Sequence, residues 1–185
     1  MNGERVPIVI LFKPGVQELA AKGYVKLQAD LAVSLVGIAV ADSAPAPVLK
    51  TTADFVAFLK STPSIAYTER GPSGVYMAQL IEKLGLTEIM KAKATVVNGP
   101  LAAPLIRAGK VAAAMQQISE LKMAGARNIV PLPDEIQLRS IITVAVLENR
   151  TPGAVAARIV DVLTSHEAAA AYERAGVAAL FGSSN

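Results

Sequence analysis

The feature that most constrains this chain is a repeated alternation: short runs rich in Val and Ile give way to stretches whose apolar residues recur at helical spacing, and glycines close those stretches. Such a pattern builds an α/β sheet with helices on its faces, because each helix carries the chain back across the sheet to begin the next strand. Residues 7–12 (PIVILF) predict a buried strand. Pro14 suits the first turn of a helix over 14–22, and Gly23 its left-handed exit. Residues 31–41 (LAVSLVGIAVA) predict a second buried strand. Thr51 and Asp54 have the spacing of a capping box that opens a helix directing Phe55, Phe58 and Leu59 inward. After a strand at 64–68, Met77, Leu80, Ile81 and Leu84 form an amphipathic stripe that Gly85 ends. Further strands are predicted at 93–97, 111–116, 128–132 and 140–147. A helix over 100–108 is closed by Gly109, with Pro104 favouring a kink or a late start. Thr151 with Pro152 starts a helix that turns Val155, Ile159 and Leu163 toward the core. Thr164 with Glu167 has capping-box spacing for a last helix, closed by Gly176.

With 185 residues and 52% apolar content the chain can bury one ordinary core or two small lobes, and 18% charged residues is too few for disorder. A net charge of +3 without a run of Lys and Arg gives mild attraction to anions and no nucleic-acid footprint. The absence of Cys removes disulfides and thiolate chemistry. No uncharged stretch approaches the roughly 20 residues of a membrane-spanning helix. The N-terminal MNGERVPIVILFKPG lacks the ordered regions of an export signal, so the chain as written reads as cytoplasmic. The single histidine, His166, falls in the first turn of a helix and reads as a solvated surface residue, which disfavours a Ser-His-Asp triad and a His-based metal site. There is no nucleotide-binding glycine motif, and neither metal nor cofactor is expected.

The most informative segment is Thr68-Glu69-Arg70-Gly71-Pro72-Ser73-Gly74-Val75-Tyr76, a glycine-containing turn from a strand end to a helix start. That position in an α/β sheet is where ligands bind, and the free N–H groups of a first helical turn favour an anion. Gly71 and Gly74 permit close backbone approach, and Ser73 serves either as a helix cap or as a donor to an oxyanion. Val97-Asn98-Gly99-Pro100 and Met115-Gln116-Gln117 end two further strands. The glutamines offer neutral donors and acceptors to a ligand, or form a solvated strand exit. Lys13, after the first strand, is a ligand cation or an ordinary loop lysine.

From Val9 to Phe181 the strings IVILFKPGVQELAAKGYV, SIAYTERGPSGVYMAQLIEKLGL, NGPLAAPLIRAGKVAAAMQQISEL and VDVLTSHEAAAAYERAGV resemble, in order and spacing, the molybdate-type periplasmic solute-binding proteins. The resemblance implies a two-lobed α/β clamp with mostly parallel sheets, crossing strands near 33–41 and 140–147, and a small anion held between the lobes. Residues 46–136 correspond to the second lobe, and 1–45 with 137–185 to a first lobe. The resemblance implies that the first lobe is incomplete, because Gly3-Glu4 and the strand after them resemble the family's third strand. The ligand residues so implied are Lys13, Ser73, Gly74, Tyr76, Asn98, Gly99, Gln116 and Gln117. Gln116 stands where molybdate binders carry Tyr, which alters the oxyanion site. The expected function is anion delivery to an ABC permease, with a periplasmic location by resemblance. Relatives include an aconitate isomerase, so the rival expectation is an isomerase of an unsaturated carboxylic acid using Tyr67, Glu69 and Arg70. A third is an inactive truncated relative. An uncovered first lobe implies self-association.

Overall fold

The computed structural model describes residues 6–148 and 153–181; Gly3, Glu4, Thr151 and Pro152 lie outside them. In chain order the elements are β1 (Ile8–Phe12), α1 (Lys13–Ala21), β2 (Val25–Val40), α2 (Thr52–Ser61), β3 (Ile65–Thr68), α3 (Pro72–Lys83), α4 (Thr87–Lys91), β4 (Ala94–Val97) and α5 (Pro104–Arg107). They continue with β5 (Ala113–Gln117), α6 (Ile118–Met123), β6 (Ile129–Pro131), a 3-10 turn (Asp134–Ile136), β7 (Arg139–Leu147), α7 (Gly153–Leu163), α8 (His166–Ala175) and β8 (Val177–Ala179). The chain divides into two compact units, one running to Ser34 and resuming at Ser140, the other comprising Leu35–Arg139.

In the first unit β1 pairs antiparallel with β7, from Ile8 opposite Val146 to Phe12 opposite Ile142. Ala32–Ser34 of β2 pair with β8. Leu31, Ala32, Val144 and Val177 form the buried core, with Ile8, Ile142, Val160, Leu163, Tyr172 and Phe181 packed against it. Three expectations change here. The strand at β1 is a sheet edge rather than a buried strand, and leaves Ile10 and Leu11 50% and 42% exposed. Helix α7 turns Ala156, Val160 and Leu163 inward, while Val155 and Ile159 face solvent. Helix α8 is capped by Ser165, whose hydroxyl accepts from the Ala168 N–H; Thr164 instead donates back to the Val160 carbonyl.

In the second unit β2 is flanked on both edges by antiparallel neighbours, Val36–Val40 by β5 and Gly37–Ala39 by β6. Gly37 is required there: a Cβ would lie 2.9 Å from both Ile118 Cγ1 and the Val130 carbonyl oxygen. Parallel pairing joins β5 with β3 and β3 with β4. The core gathers Ile38, Phe55, Leu59, Ile65, Met77, Leu80 and Met115, so the α2 and α3 stripes face inward as their spacing dictates. The Thr51/Asp54 capping box is formed, and Gly23, Gly85, Gly109 and Gly176 all take positive φ at helix exits. Among the described residues no helix is long and apolar enough to cross a membrane.

Candidate functional site

Because β3, β4 and β5 are parallel and in register, their carboxyl ends lie together at one edge of the sheet. Thr68 is opposite Val97, and Tyr67 is opposite Met115. The Glu69 N–H donates to the Val97 carbonyl at 2.9 Å, which extends the β3–β4 ladder into the turn. Three exits therefore emerge side by side: the Glu69–Pro72 turn, the Asn98–Pro100 loop, and Gln116–Gln117 entering α6.

The turn is shaped by Gly71 and Gly74. Gly71 caps α3 at φ 90°, and Pro72 follows as the first helical residue, where its missing N–H leaves nothing unbonded. A Cβ on Gly74 would stand 2.0 Å from the Thr68 carbonyl oxygen, so what this glycine admits is the chain's own strand end. The Thr68 hydroxyl closes the turn by donating to the Arg70 carbonyl at 2.9 Å. The first intrahelical bond at this end runs from the Val75 N–H to the Gly71 carbonyl at 3.1 Å, which leaves the Ser73 and Gly74 N–H groups without intrahelical acceptors.

Ser73 itself is 2% exposed. The other buried polar side chains, Ser34, Thr62, Thr68, Gln116, Gln117 and Thr143, each have an interaction within the protein. Among the described residues the Ser73 hydroxyl has none. A buried polar group without a partner is rare enough to need a reason, and a ligand group bound there is one.

The remaining expected residues divide. Asn98 and Gly99 are exposed, and the Asn98 amide has no partner among the described residues. Gln116 is fully buried, and both its N–H donors are engaged internally, to the Pro100 carbonyl at 3.1 Å and Glu120 at 3.0 Å. Its side-chain oxygen accepts from the Ala102 N–H at 2.6 Å. Gln117 is buried and likewise already engaged. The Tyr76 hydroxyl donates to the Ile136 carbonyl at 2.7 Å, and partial burial pushes its phenol pKa up. Lys13, in the first unit, is bound to Asp30 at 2.5 Å. Tyr67 lines a surface groove with Ala78, Glu82, Met90, Lys91 and Val96 that contains none of the strand-exit residues, and burial raises its phenol too. Glu69 and Arg70 are exposed, 3.9 Å apart.

Two residues of the site were not anticipated. Thr68 seats the helix start, and Glu120 anchors Gln116. The available signal for Glu120 was its place three residues after the Gln117 strand end, from which a carboxylate can accept the Gln117 backbone N–H. Among the described residues no cluster of three or more His, Cys, Asp or Glu side chains could hold a metal ion.

An α/β sheet whose parallel strand ends surround a helix N-terminus with free donors is the framework of a solute-binding protein. The chain belongs to the bacterial extracellular solute-binding protein family, which it matches over residues 1–178. It is 28% identical over 180 residues to an aconitate isomerase from Pseudomonas sp, covering 95% of this chain and 68% of that protein. Its fold is similar to the periplasmic molybdate-binding protein of Azotobacter vinelandii, with a TM-score of 0.68, 15% identity, and coverage of 95% and 79% of the two chains. A substrate-binding domain assigned to a molybdenum ABC transporter of Clostridium difficile superposes with a TM-score of 0.71 at 16% identity, covering 95% and 78%. At such identities the structural likeness speaks for the fold alone.

Proposed function

We propose that this protein binds a small anion, an oxyanion or an organic acid, at the carboxyl edge of β3, β4 and β5, and delivers it in the periplasm to an ABC permease. The buried, unpartnered Ser73 hydroxyl at the start of α3 carries this reading. The Ser73 and Gly74 N–H groups and the positive end of the helix dipole favour negative charge at that point, and Asn98 adds a neutral donor from the adjacent loop. Neutral donors hold an anion without a permanent counter-charge, so the ligand can be released. Gln116 supports the loop in this reading rather than touching the ligand.

Calorimetric titration with molybdate, sulfate and aconitate tests the proposal on the wild type and Ser73→Ala. One of the three is expected to bind, with affinity falling about tenfold in the variant, the effect of losing one hydrogen bond to a charged group. Equal binding by both proteins would remove Ser73 from the site.

The identity to an aconitate isomerase across 95% of the chain favours a second reading, proton transfer on an unsaturated tricarboxylate. Tyr67, Glu69 and Arg70 are its acid/base and anchoring residues. The groove position of Tyr67 and the exposure of Glu69 and Arg70 weigh against it. Incubation with aconitate, followed by NMR of the double-bond geometry, separates the readings: turnover lost in Tyr67→Phe supports the isomerase, and binding without turnover supports the carrier.

We also propose self-association through the first unit, supported by the edge position of β1 and by the exposed residues Ile10 and Leu11 on β1 and Val155, Ile159 and Val162 on α7.

A further inference from the structure

We propose that Glu120 is a positioning residue of the anion site, acting through Gln116 on the loop that carries Asn98 and Gly99; this rests on the reading of that loop as part of the site. The orientation of the Gln116 amide follows from its surroundings. The Ala102 N–H can only donate, so it must meet the amide oxygen, which it does at 2.6 Å. The Pro100 carbonyl and the Glu120 carboxylate can only accept, so they must meet the amide nitrogen, which they do at 3.1 Å and 3.0 Å.

Gln116 therefore grips the loop at two points two residues apart, immediately after Asn98 and Gly99. Glu120 prevents the amide from turning over. A flipped amide would set N–H against the Ala102 N–H and oxygen against both the Pro100 carbonyl and the carboxylate. Without Glu120, one Gln116 N–H would lose its acceptor in a fully buried position, and the preference for the observed orientation would weaken. Glu120 is itself fixed at the start of α6 by the Gln117 backbone N–H. Half-burial of this carboxylate raises its pKa, against the bonds from Gln116 and the Gln117 N–H, which lower it. The bonds to the Pro100 carbonyl and the Ala102 N–H tie this loop to the end of β5 through the Gln116 side chain.

The test compares wild type, Glu120→Leu, Glu120→Gln and Ser73→Ala. It measures affinity for whichever of molybdate, sulfate or aconitate binds, and hydrogen exchange at the Ala102 amide. Glu120→Leu is expected to lose about tenfold in affinity and to speed Ala102 exchange about tenfold relative to the Ile38 amide. Glu120→Gln, whose side-chain oxygen still accepts from Gln116, is expected to restore both. A merely structural role would lower the melting temperature without singling out Ala102. If Glu120→Leu binds within twofold of wild type while Ser73→Ala loses tenfold, the site stands and the positioning role falls. If no anion binds wild type, both fall. Should Glu120→Leu fail to fold, NMR of wild type decides: both Gln116 side-chain protons are expected to be protected from solvent, and exchange at the rate of an exposed amide would overturn the proposal.

Discussion

A Cβ on Gly74 would lie 2.0 Å from the carbonyl oxygen of Thr68, so the first turn of α3 rests on the last residue of β3 with no room for a side chain between them. Gly74→Ala must push the helix start off the strand end. The expected loss is about 3 kcal/mol, the upper part of the range for an overpacked core, read from urea unfolding. Gly99→Ala is the control: its Cβ would meet only Val97 Cγ1, at 3.6 Å, and stability should stay within about 0.5 kcal/mol of wild type.

Ser73→Ala should separate stability from binding. Removing a buried hydroxyl that has no partner among the described residues exposes no orphaned group, so the ligand-free protein should be unchanged or slightly more stable. Affinity for the bound anion should fall at the same time. A large loss of stability in the ligand-free variant would show that the hydroxyl serves the fold instead.

Two carboxylates should shape the pH dependence in opposite directions. The Lys13 ammonium, aided by the Thr143 hydroxyl at 2.7 Å, holds Asp30 below the usual carboxylate range, against the effect of burial. Its stabilising contribution is therefore full above the ordinary value of about 4 and is lost as pH falls through the lower folded value. Burial raises Glu120, so its contribution is full below its ordinary value and is lost as pH rises through the raised folded value. Urea midpoints between pH 3 and pH 8 should show Asp30→Asn flattening the acid limb. Glu120→Gln should gain stability at pH 7 and not at pH 4. A Glu120→Gln gain that is independent of pH would refute the second assignment.

On α7, Ala156 is 3% exposed whereas Val162 is 66% exposed. Ala156→Leu should overpack the first unit and cost about 2 kcal/mol. Ile159→Lys with Val162→Lys should leave folding nearly unchanged. If the proposed self-association uses this face, the double variant should also abolish the concentration dependence of light scattering.

The same helix shows where the sequence stops being decisive. Val155, Ile159 and Val162 follow one helical stripe, and Ala156, Val160 and Leu163 follow another one residue over; spacing alone does not say which meets the sheet. Helix α3 presented no such choice, because Met77, Leu80 and Ile81 lie on one face, with Glu82 and Lys83 beside them. Thr164 and Ser165 are adjacent hydroxyls, and the cap fell to the second because the first bonds back into α7. Helices α4 and α6 span fewer than two turns and leave almost no periodic trace.

At the candidate site, the strand-turn-helix signal around Ser73 was legible because glycine, proline and serine mark a turn locally. The engagement of Gln116 was not. It depends on the Ala102 N–H and Glu120, which only the folded loop brings to its two ends. The position of Tyr67 was hidden for a similar reason, since α4 helps build its groove.

The double flanking of β2 bears on how this protein is made. Gly37 to Ala39 take both their strand neighbours from residues 114–116 and 129–131, roughly eighty to ninety positions further along the chain. During synthesis the apolar segment around Ile38 must wait until those residues leave the ribosome, while β3, α3 and β4 can already assemble locally. For that interval it is an unpaired, hydrophobic strand, the kind of segment that chaperones hold and that aggregates when they do not. Expression yield should therefore depend more on how quickly residues 113–131 follow than on the stability of the finished fold.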